Sequence, residues 1–174
     1  MTETTEKCIK ASEMDPKFKY EISKMHGGEK LMRCFQCGTC TSDCPVARFS
    51  DTYRPRQIIR MTQLGLKNKV LESETLWLCA SCFTCTDRCP QDVEVASVIR
   101  VLRNLAAEQG HIPQVFKEEC SSILESGYAY KIPELRLKKR ESLGLPPLPK
   151  GNPESLNKTL RGVGLLKHME KKAT

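Results

Sequence analysis

Two cysteine runs of the same spacing constrain this chain more than any other feature of its sequence. Each run has the form Cys-x2-Cys-x2-Cys-x3-Cys-Pro, and every cysteine of the second run lies 45 positions after its counterpart in the first. The runs consist of Cys34, Cys37, Cys40 and Cys44, and of Cys79, Cys82, Cys85 and Cys89. Two threonines, Thr39 and Thr41, also recur 45 positions later, so the runs form an internal repeat.

The spacing within each run suits a cubane [4Fe–4S] cluster. A two-residue gap lets a tightly turning backbone direct three successive thiolates at three irons on one face of the cube. In two-cluster ferredoxins the fourth cysteine of each run binds the other cluster. The repeat therefore predicts two [4Fe–4S] clusters, the first held by Cys34, Cys37, Cys40 and Cys89, and the second held by Cys44, Cys79, Cys82 and Cys85.

This crossed assignment predicts that the two clusters are neighbours. Cys40 and Cys44 bind different clusters but are four residues apart, so their Cα atoms are separated by at most about 14 Å in an extended chain and by about 6 Å in a helix. The proline after each run, Pro45 or Pro90, has no N–H and a preset φ that suits the start of a helix. A new segment is therefore expected to leave the cluster at each proline.

Zinc and disulfide bonds are the alternatives for such cysteines. Zinc takes four ligands, and the extra cysteine in each run would then have no role. Disulfide frameworks are typical of small secreted proteins, but the start of the sequence shows no apolar stretch of the kind found in a secretory leader. Clusters in a cytoplasmic protein are therefore the favoured interpretation.

Composition predicts one domain with tails and a lean apolar core. The chain has 174 residues, of which 39% are hydrophobic and 6% aromatic, with Trp77 as the only tryptophan. Two oxidised clusters with their thiolates would carry about −2 each and lower the formal charge of +7 to about +3. The densest basic runs, 136–140 and 167–172, have no interleaved aromatic residues, which disfavours nucleic-acid binding. No apolar run approaches the roughly 20 residues of a membrane span.

Hydrophobic periodicity predicts four helices and no convincing strand. The predicted segments are 15–28, 50–65, 92–110 and 113–127. Asp15 and Asp92 are expected to cap the first and third helices, and glycines follow or end all four. In the fourth helix Cys120 shares an apolar face with Phe116 and Ile123, which predicts an ordinary buried thiol.

The C-terminal part of the sequence is basic and rich in proline. Prolines at 133, 146, 147, 149 and 153 exclude a long helix, so residues 129–174 are expected to form an extended arm. The arm is either a disordered tail or a segment that becomes ordered against a partner, since leucines such as Leu143 and Leu148 gain little from water. We predict a short N-terminal tail at 1–11 and the cluster domain at 12–128.

The chain shows no sign of a substrate-converting site of its own. There is no glycine-rich phosphate loop, dinucleotide fingerprint or nucleophile elbow in the sequence. His26, His111 and His168 are isolated from each other and from the cysteines. Cys8, in the polar N-terminal tail, has no identifiable partner. We therefore expect no catalytic residue in this chain.

The separation of the two runs, with a helix between them, resembles the α-helical ferredoxin domain of iron–sulfur subunits in respiratory oxidoreductases. The resemblance covers about residues 12–128. More closely, "RPRQIIRMTQLG" and "LWLCASCFTCTDRCP" are similar to the C-subunit family of the soluble heterodisulfide reductases of methanogenic archaea. This resemblance implies a mostly α fold that binds two [4Fe–4S] clusters, and the eight cysteines are the only family positions that we assign.

The resemblance also implies a role within a larger enzyme. A member of this family relays electrons from a flavin- and cluster-bearing A subunit to a catalytic B subunit, where the mixed disulfide of coenzyme M and coenzyme B is reduced. Such complexes join a hydrogenase or a formate dehydrogenase. The chain would then be a non-catalytic, electron-transfer subunit of an oxidoreductase.

Two other functions stay open at the level of sequence. One is the iron–sulfur subunit of a glycolate, lactate or glycerol-3-phosphate dehydrogenase, or of a quinone-linked complex. The other is a free-standing ferredoxin or a cluster-stabilised interaction module. A basic, leucine-bearing arm is of little use to a freely diffusing carrier, which favours a complex subunit.

Overall fold

The computed structural model describes residues 9–149, 151–164 and 166–167, and within these residues the chain is helical without any strand. The described part contains α1 (Phe18–Ser23), α2 (Thr39–Ser42), α3 (Pro55–Gln63), α4 (Lys67–Leu71), α5 (Thr84–Asp87), α6 (Val95–Glu108), α7 (Gln114–Ser126), α8 (Glu134–Ser142) and α9 (Pro153–Gly162). The predicted mostly α fold is confirmed. Cys8, His168 and most of the basic run 167–172 lie outside the described residues.

The chain divides into two compact units, Met1–Ala106 and Ala107–Thr174. The first unit contains both cysteine runs, and the second contains α7, α8 and α9. The functional boundaries at 12–128 and 129–174 stay a prediction. In the described part of the chain, every helix is too short or too polar to cross a membrane.

All four helices expected from periodicity are present, although the first is shorter than its pattern. The prediction that Asp15 caps the first helix is wrong, because Lys17 directly precedes α1 and the Asp15 carboxylate accepts the Lys17 N–H at 2.9 Å in the turn before it. Pro55 is the first residue of α3, where its missing N–H costs no hydrogen bond. Gly127 ends α7 in a left-handed conformation, with a φ of 78°.

The prediction that Asp92 caps the third helix is wrong. Its carboxylate accepts a hydrogen bond from Lys30 Nζ at 2.6 Å, and Lys30 also lies 2.5 Å from Glu94. The backbone of Asp92 is left-handed, with a φ of 51°. Aspartate is common both at helix caps and at left-handed positions. Here Lys30, 62 positions away in the sequence, binds the carboxylate that would otherwise accept from the helix amides.

The core of the first unit includes the cysteine runs. Phe18 and Ile22 of α1, and Ile59 of α3, are fully buried. They form one cluster with the apolar face of α6 and with Cys40, Cys44 and Cys85. Because motif cysteines and aliphatic side chains share this cluster, whatever the cysteines bind is in position to stabilise the fold.

The second unit shows that proline starts short helices in the arm. Pro133 directly precedes α8 and Pro153 is the first residue of α9, so no long helix forms. Helices α7 and α9 pack together, and Asn157 Nδ2 donates to the Leu124 carbonyl oxygen at 3.3 Å. Cys120 is half-buried on α7 rather than fully buried.

Gly65 provides a test of how closely the chain after α3 approaches the chain before α1. It follows α3 with a φ of +78°, and a Cβ atom on it would lie 2.0 Å from the Asp15 carbonyl oxygen. We expect Gly65→Ala to lower the free energy of unfolding by more than about 2 kcal/mol, because backbone must move in addition to the cost of positive φ. Urea unfolding followed by circular dichroism measures this change.

The matched control is Gly144→Ala. Gly144 has a φ of +66° with open space around it, so the substitution should cost only about 1 kcal/mol. Equal losses in the two variants would contradict the close approach of Gly65 to Asp15.

Candidate metal centre

The two cysteine runs fold in the same way. Each forms a loop that enters a one-turn helix, α2 in the first run and α5 in the second. Two backbone positions in each loop are left-handed. They are Gln36 and Gly38 in the first run, with φ of 66° and 93°, and Ser81 and Phe83 in the second, with φ of 51° and 60°. These turns bring three successive cysteines to one side of the loop.

The structure brings the cysteines together in two crossed groups. Cys34, Cys37 and Cys40 line one cavity together with Cys89 from the other run. Cys85 lies close enough to Cys79, Cys40, Cys44 and Cys82 for their charges to raise its pKa. The cysteines of the two runs are therefore neighbours. The crossed assignment of the eight sulfurs as ligands stays a prediction.

The two runs contact each other through corresponding parts. Helices α2 and α5 are in contact. Arg88 Nε lies 3.9 Å from Asp43 Oδ2, and Arg88 is the residue 45 positions after Asp43. Equivalent segments of the sequence repeat are therefore neighbours in space.

Each run also supports the helix that follows it. Thr41 Oγ1 accepts the backbone N–H of Arg56 at 3.0 Å, and Thr86 Oγ1 accepts that of Ala96 at 3.2 Å. Arg56 and Ala96 are the second residues of α3 and α6, whose first-turn amides have no partner within the helix. The recurring threonines thus act as helix caps from a distant part of the chain.

The first run is held in return by Gln63 at the end of α3. Gln63 Nε2 donates to the carbonyl oxygens of Leu31 at 3.2 Å and Cys34 at 3.1 Å. Leu31 is fully buried and begins the 3-10 turn that leads into the run. The amide therefore fixes the start of the cysteine loop.

Arg103 of α6 performs the same task for the second run. It donates to the carbonyl oxygens of Leu76 at 3.0 Å, Trp77 at 2.9 Å and Cys79 at 2.6 Å. Leu76 and Cys79 are the repeat counterparts of the two residues that Gln63 holds. Since the planar guanidinium offers five donors in a fixed geometry, one side chain can hold three carbonyls.

Sequence reasoning missed this pair of anchors. Helices α3 and α6 correspond at an offset of 40 rather than 45, because the connection after the first run is five residues longer. The signal was present in the sequence: Ile58–Arg60, with the sequence Ile-Ile-Arg, matches Val98–Arg100, with the sequence Val-Ile-Arg. Aligning those segments places Arg103 opposite Gln63.

Cys40 and Cys85, the third cysteine of each run, are weak acids. Burial raises the pKa of Cys40 to about 11 and that of Cys85 to about 12, and neighbouring thiolates act in the same direction. A buried thiolate is unfavourable in a site with little water unless a positive charge is near. The arrangement therefore favours occupation by a cation-containing group.

Cys37 and Cys82, the second cysteine of each run, have lowered pKa values and ionise more readily. Thr39 Oγ1 lies 3.4 Å from Cys37 Sγ, and this contact lowers the pKa of Cys37. Thr84 Oγ1 lies 3.4 Å from Cys82 Sγ and likewise lowers the pKa of Cys82. Both cysteines are exposed, so each group has one sulfur at the protein surface.

The first group receives two further hydrogen bonds. Gln36 Nε2 donates to Cys34 Sγ at 3.3 Å, and the backbone N–H of Val93 donates to Cys89 Sγ at 3.4 Å. Gln36 itself is 3.3 Å from Gln63 Oε1, which fixes its amide. Donors of this kind stabilise negative charge on sulfur.

Tyr53 lies beside the second group. Its ring is buried, and burial together with the neighbouring Cys79 raises the pKa of Tyr53 far above the usual range. Negative charge on Cys44 and Cys85 acts in the same direction. Tyr53 therefore stays protonated, with its hydroxyl group next to the second group.

The donor set fits a multi-iron cluster. Within the described residues, no three Cys, His, Asp or Glu side chains are grouped closely enough to hold one metal ion. In the first group four sulfurs instead surround a cavity. A [4Fe–4S] cube takes one thiolate on each of four irons, which are spread over its corners.

The comparisons with known proteins agree with this chemistry. The family model described as a 4Fe-4S dicluster domain matches residues 30–93, which include both cysteine runs. The chain therefore has the domain of a [4Fe–4S] protein.

Relatives with assigned names cover most of the chain. The C subunit of the H(2):CoB-CoM heterodisulfide,ferredoxin reductase of Methanothermobacter marburgensis is 36% identical over 83% of this chain and 77% of its own length. The C2 subunit of the H(2)/formate:CoB-CoM heterodisulfide,ferredoxin reductase of Methanococcus maripaludis is 40% identical over 79% and 77%. The iron-sulfur C subunit of the CoB--CoM heterodisulfide reductase of Methanopyrus kandleri is 33% identical over 86% and 81%.

Arg103 provides a test of how the second run is held. We expect Arg103→Met to leave three carbonyl oxygens without their donor and to lower the free energy of unfolding by about 3 kcal/mol. The purified protein should also retain less iron and acid-labile sulfide. Anaerobic urea unfolding and iron analysis measure both effects.

Arg100→Met is the matched control, since Arg100 lies on the exposed side of the same helix. It should change stability by less than about 0.5 kcal/mol and leave the iron content unchanged. Equal iron content in the two variants would show that Arg103 does not support the site.

Proposed function

The chain belongs to the C-subunit family of heterodisulfide reductases, and we propose that it carries electrons from a flavin- and cluster-bearing A subunit to a catalytic B subunit within such a complex in the cytoplasm. An iron–sulfur electron-transfer role agrees with the names of its relatives and with the 4Fe-4S dicluster domain. The observation that carries the proposal is the crossed grouping of the eight cysteines into two adjacent sites. Two neighbouring redox sites on one small chain are what a relay needs.

We assign one [4Fe–4S] cluster to each cysteine group. The first would be held by Cys34, Cys37, Cys40 and Cys89, and the second by Cys44, Cys79, Cys82 and Cys85. When bound, such clusters supply one-electron oxidation and reduction at low potential. The protein contributes the positions of the sulfurs, the hydrogen bonds to them and their degree of contact with water.

The described residues support these tasks in different ways. Cys40 and Cys85 lie in the apolar core between the two sites and keep water away from the space that the groups share. Cys37 and Cys82 are exposed, so each site reaches the surface at a different sulfur. Exchange with a partner is therefore possible at two separate edges.

We assign the chemical step to the B subunit. The names of the relatives state that their complexes act on the CoB-CoM heterodisulfide, and some include H(2) or formate as the source of electrons. By analogy, we propose that this chain receives electrons that originate in a hydrogenase or a formate dehydrogenase. It delivers them to the site where the disulfide is cleaved.

The C-terminal arm, 129–174, is proposed to dock on a partner subunit. Several of its apolar side chains are exposed, including Leu135 at 78%, Leu143 at 65% and Val163 at 70%. Exposed leucines of this kind are typical of segments that bury their side chains in a complex.

The crossed ligand assignment is tested by cysteine variants. We expect Cys34→Ala and Cys44→Ala to damage different clusters although both residues belong to the first run. Electron paramagnetic resonance of the reduced protein should show the same altered centre in Cys34→Ala and Cys89→Ala, and the other centre in Cys44→Ala and Cys79→Ala. Loss of one and the same centre in Cys34→Ala and Cys44→Ala would rule out the crossover.

The electron-transfer role is tested by purification under anaerobic conditions from the native source. The tagged chain should co-elute with a flavoprotein and with a second cluster-bearing protein, and should contain about eight irons itself. Recovery as a monomer without any flavoprotein would favour a free-standing ferredoxin. Recovery with a glycolate, lactate or glycerol-3-phosphate dehydrogenase would assign the chain to another oxidoreductase.

A further inference from the structure

A surface groove beside Cys34 has an unusual lining. Three arginines, Arg54, Arg56 and Arg60, line it together with Phe35, and the lining includes no carboxylate. Arg54 directly precedes α3, Arg56 lies in its first turn and Arg60 in its last turn. We call this surface the arginine groove.

Only one of the three arginines is used by the fold. Arg54 Nη1 donates to the carbonyl oxygens of Tyr53 at 2.9 Å and Ala47 at 3.2 Å, and also to that of Ser50. Arg56 and Arg60 are exposed and form no ion pair with any described residue. Arg56 also lines the cavity of the first cysteine group, so a partner bound in this groove would lie next to that group.

An exposed aromatic ring lies within the same surface. Phe35 is 61% exposed although the cysteine loop that carries it is held on both sides, by Gln36 and by the anchor of Cys34. Aromatic residues and arginine are enriched at the centres of protein–protein interfaces. A small anion would satisfy the arginines but would leave Phe35 in water, so the combination favours a protein surface.

The internal repeat shows that this surface is a feature of one end only. The counterparts of Phe35 and Arg56 in the second half are Ala80 and Ala96. The two cysteine loops share their left-handed positions, but the connection after the first run is five residues longer and carries Arg54. Arg60 has an arginine counterpart, Arg100, so the two ends differ mainly at Phe35 and Arg56.

The other edge has a different character. Leu78 is 47% exposed and Phe83 is 41% exposed, and Asp87 is close enough to Cys82 to act on its pKa. The counterparts of these three residues in the first half are Arg33, Gly38 and Ser42. This edge is therefore more apolar than the edge beside the first cysteine group.

We propose that the arginine groove docks a carboxylate-bearing face of one redox partner, while the opposite edge binds the other partner. This inference rests on the proposed function, because it assumes that the chain lies between two other subunits. Arginine pairs with carboxylates through two parallel hydrogen bonds, which gives orientation as well as attraction. Because the two edges carry different side chains, each partner would bind less tightly at the wrong edge.

The test compares two double variants of the tagged full-length protein in complexes reconstituted under anaerobic conditions with the A and B subunits. Arg56→Glu with Arg60→Glu reverses the charge of the groove. Lys17→Glu with Lys24→Glu makes the same change of charge on exposed residues at the two ends of α1. Iron content and circular dichroism verify that each variant is folded and loaded.

We expect the arginine variant to raise the Kd for one of the two partners by at least about tenfold and to change the Kd for the other by less than about twofold. The lysine variant should change neither. Binding of the affected partner to the unaltered protein should weaken with added salt. Arg56→Lys with Arg60→Lys keeps the charge but not the paired hydrogen bonds, so its loss of binding should be smaller than that of the glutamate variant.

Three results would overturn the proposal. The first is unchanged binding of both partners to the arginine variant, and the second is an equal loss of both. The third is inorganic phosphate that binds the unaltered protein but not the arginine variant, without an effect on either partner, which would make the groove a small-anion site. If the unaltered protein recruits neither partner, the proposed function falls as well, and this separates its failure from that of the groove.

Discussion

The main constraint on this structure is the electrostatic cost of holding eight cysteine side chains close together in and around a small core. Burial and neighbouring thiolates raise the pKa of Cys40 to about 11 and that of Cys85 to about 12, so thiolates at these positions need positive charge nearby. Both cysteines belong to the same buried cluster as the aliphatic core. Folding of the first unit and binding of iron are therefore expected to be coupled, as in other small metal domains.

The repeat gives the two groups the same frame but different hydrogen-bond donors. Tyr53, beside Cys79 of the second group, corresponds at the offset of 40 to Val93, whose side chain has no donor. The first group instead receives the backbone N–H of Val93 and the amide of Gln36. Hydrogen bonds to ligand sulfurs change reduction potential, so the two sites are chemically unequal although their backbones match.

The sequence predicted the parts of the site that depend on local spacing. The cysteine runs, the helices and their glycine ends follow from residue type and period, which act over a few positions. The cap assigned to Asp92 was wrong because Lys30, distant in sequence, competes for its carboxylate. The role of Arg103 was missed because its carbonyl partners lie 24 to 27 positions earlier, and no local pattern records such a contact.

The duplication lets one short sequence pattern form both sites, and it also requires that the side chains of the two halves differ. A chain with two equal halves would present the same edge to both partners, and either partner could then bind at either end. Specificity requires a difference in binding free energy, which like charges at the wrong edge can supply. The two halves keep the same cysteine spacing and differ at exposed positions, with Arg33 and Phe35 in one half against Leu78 and Ala80 in the other. Changes in surface side chains can therefore direct each partner to its own edge while the core of the duplicated domain is kept.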